Sequence, residues 1–127
     1  MSRPTLTATL AQGFAVVAFL MIPPAQAANP FEPVGLWRFY HTDGTPFLAR
    51  LMADQTATTD WDGGERGVWR WEGDRVRVFY TDGWDDLLYR RNGAFRKSGY
   101  APGADRCAPP SNDTGAEHLS ADPTSSP

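Results

Sequence analysis

What most constrains this chain is its punctuation. Between Val34 and Tyr100, short aromatic and β-branched runs alternate with turn-forming pairs. The runs cover residues 35–41, 46–52, 56–61, 67–72, 75–81, 84–90 and 94–100. Between them lie Asp43-Gly44, Asp54-Gln55, Asp62-Gly63-Gly64, Gly73-Asp74, Asp82-Gly83 and Asn92-Gly93. Asp-Gly and Asn-Gly accept the positive φ that tight hairpins demand. Connections this short cannot carry the crossover that parallel neighbours require. The expected fold is therefore all-β: a single small antiparallel up-and-down meander of about seven strands, a curled sheet or small barrel.

Period-two alternation sorts the side chains by face. Val76, Val78 and Tyr80 share one side of their run, opposite Arg75, Arg77 and Phe79; Trp37 and Phe39 oppose Leu36, Arg38 and Tyr40. Trp37, Trp69 and Trp71 are expected in the core. A body of this size with neither disulfide nor metal sits near the lower limit of independent stability, and its dense aromatics compensate by covering roughly 150–250 Å² each. Residues 39–44 (FYHTDG) echo residues 78–83 (VFYTDG), and residues 35–38 (GLWR) echo residues 67–70 (GVWR). The two offsets differ, so these are similarly built hairpins rather than a strict tandem repeat.

The flanks read differently. Residues 1–27 have the pattern of a secretory signal peptide: Arg3, an apolar run over 14–22, Pro23-Pro24, then Ala25-Gln26-Ala27 as a cleavage site. The apolar run is less than half the roughly 20 residues a membrane span needs. Residues 28–33 form a lead-in, and residues 34–100 are the β-meander domain. Residues 101–127 hold five Pro, two Gly and four Ser, with Leu119 their only large aliphatic; disorder is the expectation. The tail's acids carry most of the net negative charge, and His118 within it is assigned no structural role. The expected location is periplasmic or secreted, with no transmembrane segment once the signal is removed. A lone Cys107 leaves no internal disulfide.

The charge of −3 argues against a nucleic-acid partner. No Gly-x-Ser-x-Gly, His-Glu-x-x-His or phosphate-cradling loop is present. His41, the one His of the body, is read as a solvated strand-end residue. Carboxylates are the plentiful reactive groups: Asp60, Asp62 and Glu65 in one turn, Asp82, Asp85 and Asp86 in another. Their spacing does not match a calcium loop, and acidic turns also protect sheet edges. Trp61 and Trp84 each adjoin an acidic turn, a composition suited to sugar or peptide contact; either ring folding back to cap the sheet is the alternative. Arg38, Arg70, Arg75 and Arg77 form a positive stripe or pair with neighbouring acids. The candidate ligand or partner contacts are Trp61, Trp84, Asp60, Asp62, Asp85, Arg38 and Arg70, with no catalytic residue, metal or cofactor expected.

Gly35-Leu36-Trp37, Gly67-Val68-Trp69, the run 78–84 (VFYTDGW) and the run 99–103 (GYAPG) resemble the small exported bacterial Gly-x-Trp proteins. These in turn resemble lipocalin-like meanders and, more distantly, periplasmic alkaline-protease inhibitors. The resemblance covers roughly residues 34–103 and implies a compact β-barrel or curled sheet without catalytic residues to carry over. The single Cys sets this chain apart from the disulfide-bearing inhibitors. The leading functional expectation is a non-catalytic, monomeric interaction or accessory protein with an envelope or periplasmic protein partner, inhibitor-like in character. The alternative is a small-ligand or saccharide binder using Trp61 and Trp84; an enzyme built on the acidic turns comes third.

Overall fold

The computed structural model describes residues 30–127. The proposed signal peptide, residues 1–27, lies outside the described residues, as does the start of the lead-in. The described residues form nine strands: β1 (Gly35–Tyr40), β2 (Pro46–Leu51), β3 (Thr56–Thr59), β4 (Glu65–Glu72), β5 (Arg75–Tyr80), β6 (Asp85–Arg91), β7 (Ala94–Tyr100), β8 (Asn112–Gly115) and β9 (Glu117–Ser120). A single 3-10 turn, Trp61–Gly63, joins β3 to β4. Each of the seven runs read from the sequence overlaps one of the first seven strands, with β4 starting two residues earlier than its run and β6 ending one residue later. At Asn92-Gly93 both residues have positive φ, 53° and 80°, the backbone that this dipeptide adopts with least strain.

All pairings are antiparallel, and the sheet order is β8-β7-β6-β5-β4-β3-β2-β1-β9. The outermost members, β8 and β9, are successive pieces of one segment interrupted only at Ala116. Its first half pairs with β7 and its second with β1, so one chain segment bridges both edges and nearly closes the sheet into a barrel.

This corrects the expected count of seven strands and the expectation of a disordered tail. The physical reason is that a closing strand borrows its stability from its neighbours. Asp113 accepts from Arg96 Nε (3.0 Å), Ser98 Oγ (2.7 Å) and Tyr89 Oη (2.6 Å), while Glu117 takes Arg38 (3.1 Å) and Tyr40. Two ladders satisfy its backbone, and a few inward side chains are enough. One of these is His118, whose ring stacks on Trp37 at 4.2 Å and 8°; the tail histidine therefore does have a structural part. Beyond β9, Arg50 donates to the carbonyls of Pro123 (2.6 Å) and Ser125 (2.8 Å), tying residues 121–127 to the barrel wall.

Register sets what the barrel contains. Val76 faces Leu88, Val78 faces Asp86, and Leu88 faces Lys97, so these side chains share the interior. One end of that interior is packed with rings. Phe31, Trp37 and Phe95 meet edge to face, with Trp37 and Phe95 at 4.8 Å. Trp37 Nε1 donates to Pro33 O (2.9 Å) and Trp69 Nε1 to Met52 O (2.8 Å), which satisfies the polar handle each indole brings into the core. The expected core positions Trp37 and Trp69 are buried, and Trp71 packs against them half-buried. The opposite end is built differently.

Candidate functional site

Four connections converge on the second end: residues 41–45, 60–64, 81–84 and 101–111. They surround a cavity lined by His41, Phe47, Trp61, Glu65, Tyr80, Trp84, Asp86, Lys97 and Asn112. Its atom-free space is about 280 Å³ with the open mouth included, but the room for water centres within is only about 10 Å³, near the minimum for about one water.

The rim is aromatic. His41, immediately after β1, stacks on Trp61 at 4.1 Å and 7°, and Trp84 lies 5.0 Å from the same imidazole. Phe47 of β2 closes the wall at 5.6 Å from Trp61. Local chemistry places both indoles. Trp61 N–H donates to Thr59 Oγ1 (3.2 Å), and Asp60 Oδ1 accepts Leu48 N–H (2.7 Å), pinning the 3-10 turn over β2. Asp82 Oδ1 accepts Trp84 N–H (3.0 Å), fixing the β5–β6 turn.

Beneath the rings lies a polar floor. Lys97, the chain's only lysine, is 1% exposed and Asp86 3% exposed. Lys97 Nζ sits 3.3 Å from Asp86 Oδ1, donates to Asn112 Oδ1 (3.0 Å), and lies 5.7 Å over the Phe47 ring. Tyr80 Oη donates to Asp86 Oδ2 (2.7 Å). Asn112 also accepts Gly99 N–H (3.1 Å) and donates to Thr42 Oγ1 (3.1 Å). A Cβ at Gly99 would fall 2.6 Å from the Asn112 amide, so glycine at 99 is what lets Asn112 reach inward.

Burial pushes the Asp86 carboxyl up from its ordinary value, against the pull of the Lys97 ammonium and the Tyr80 hydroxyl. Burial, reinforced by Asp86, raises the Tyr80 phenol as well. Glu65 stands apart. It accepts Thr59 Oγ1 (3.1 Å), and burial, a hydrogen bond with Asp82 and the Asp82 charge push its carboxyl up to about 8. Near neutrality this side chain keeps its proton.

Of the residues singled out in the sequence, Trp61 and Trp84 line the cavity. Arg38 and Asp60 border a separate open hollow on the outer wall, with Pro46, Leu48 and Pro127. Asp62 is exposed at the turn tip. Asp85 faces away from the interior and is buried between Arg77 (2.5 Å) and Arg106. Arg70 is exposed, near Glu72 (3.4 Å) and over the Phe79 ring. His41 belongs to the aromatic rim rather than standing free at a strand end. Glu65, Asp86, Lys97 and Asn112 were not singled out as binding candidates. The usable signal was the alternation that points Tyr80 inward, which carried across one hairpin selects Asp86 over Asp85. No group of three or more His, Cys, Asp or Glu among the described residues is arranged to hold a metal ion.

Comparison with protein-family models, curated proteins and solved structures finds no match to this chain. The site is therefore read from its own chemistry.

Proposed function

We propose that this chain is an exported, non-catalytic barrel protein that binds a small ligand at its mouth. The observation that carries the reading is the cavity itself: four aromatic rings around a small set of convergent polar groups, at the one end of the barrel that is not plugged. Binding sites for small molecules combine apolar walls with a few fixed polar groups in this way. A macromolecular partner has less support. Among the described residues Val68, at 54% exposure, is the only large apolar side chain well exposed, whereas partner surfaces bury clustered aromatic anchors.

The cavity does gather His41 with Glu65 and Asp86, the arrangement on which a catalytic reading would rest. Asp86 is already engaged by Lys97 and Tyr80, so its oxygens are committed to holding the floor together. Tryptophan fluorescence tests the binding reading. Saturable quenching by a small metabolite or sugar, lost in Trp84→Ala while the fold is retained, is expected. Absence of quenching across a broad panel of small molecules, with a stoichiometric protein captured instead, would return the chain to the accessory class.

A further inference from the structure

We propose that the mouth cavity takes the primary ammonium head of an organic amine, seated on Glu65 inside the ring of His41, Phe47, Trp61 and Trp84. This names the ligand class for the site described above and rests on that reading.

The barrel already holds one ammonium in this manner. Lys97 Nζ lies against the Asp86 carboxylate and over the Phe47 ring, combining a charge partner with a π-face. Glu65 is the second carboxyl of the same cavity, and among the described residues it has no cationic partner. Asp82 at the rim likewise forms no ion pair with a described residue. A second cation would complete a pattern the interior uses once.

Size selects among cations. Space for about one water accommodates –NH3+, which is of water's dimensions, with the remainder of the ligand projecting through the mouth. A trimethylated head is too large for it. The ring faces supply cation–π attraction in a half-desolvated setting.

The proton on Glu65 supports this reading. The groups facing Glu65 are Thr59 from β3, Tyr80 from β5, Asp82 from the β5–β6 turn, Asp86 from β6, Lys97 from β7 and His41 after β1. Acidic neighbours and burial together hold the carboxyl protonated. An arriving ammonium replaces that proton: Glu65 ionises, the proton passes to solvent, and the amine nitrogen keeps its three hydrogens. Roughly one proton is released per ligand near neutrality, and affinity rises by up to about tenfold per pH unit until Glu65 is ionised without ligand.

The experiment is calorimetric titration of the purified protein with n-butylammonium chloride, from about pH 6 to about pH 9, in buffers of different ionisation heat. n-Butanol, butyltrimethylammonium and methyl glucoside serve as matched probes. Expected are saturable binding of butylammonium, affinity rising with pH, proton release, and at least about tenfold weaker binding of the trimethyl and neutral probes. Glu65→Gln should weaken the ammonium and flatten its pH profile. The wild-type proton count decides the matter if that variant fails to fold. Equal binding of butanol or the glucoside, or ammonium binding without proton release, overturns the ammonium assignment while the binding site stands. Binding of none of the four probes overturns the ammonium assignment; the broader fluorescence panel then decides the site itself.

Discussion

The two ends of this barrel use aromatic side chains for opposite purposes. At the closed end, Phe31, Trp37, Trp71 and Phe95 pack ring to ring, and the Trp37 and Trp69 indole N–H groups are satisfied by backbone carbonyls. At the mouth, His41, Trp61 and Trp84 stand in a loose collar over carboxyl, hydroxyl, amide and ammonium groups. The first arrangement maximises apolar contact; the second gives some of it up to keep polar groups convergent. Stability should therefore be concentrated at one pole and recognition at the other.

The sharpest test is removal of a ring from the closed end. Trp37→Ala deletes a fully buried side chain in contact with Phe31, Phe39, Phe95 and His118, and should cost about 3–5 kcal/mol. In a domain this small each kcal/mol lowers Tm by roughly 4–8 °C, so denaturation melts will show it at once. A Trp84→Ala melt lying as low would contradict the division of labour.

The mouth has one place where stability is expected to matter comparably. Lys97→Met strands Asp86 in the interior and should cost about 3 kcal/mol, up to 5. Combining it with Asp86→Leu should recover much of the loss, because a well-packed apolar pair can replace a buried ion pair. Urea unfolding of the two single variants and the double variant measures the coupling; strictly additive losses would mean the pair is not the unit it looks to be.

The smallest effect is a pH slope. Folded Glu65 titrates at about 8 against an ordinary 4.5, so between those values the folded chain holds more of this proton than the unfolded chain does. Its contribution to stability is full below about pH 4.5 and is lost as pH climbs through 8. Glu65→Gln should remove that decline, read as Tm against pH. An unchanged slope would place the titrating group elsewhere.

Much of the architecture was legible because turn chemistry is local: Asn92-Gly93 and Asp82-Gly83 announce hairpins without reference to anything distant. The closing strand was not, because 112–120 (NDTGAEHLS) has little apolar content of its own and becomes a strand only where β1 and β7 offer free edges. The site was half legible. Trp61 and Trp84 stood out by their neighbours, but Asp85 and Asp86 differ only in face, and a one-residue shift sends a side chain to the other side of a sheet. Lys97 was visible as the only lysine, yet its burial depends on Leu88 lying opposite it.

The split last strand has a kinetic corollary. Arg38 and Glu117, partners across the seam, are 79 positions apart, so the circle can be completed only after every intervening hairpin has formed. Distant pairings of this kind slow folding. Until the seam is made, β1 and β7 each present a bare hydrogen-bonding edge, open to a strand from a neighbouring molecule.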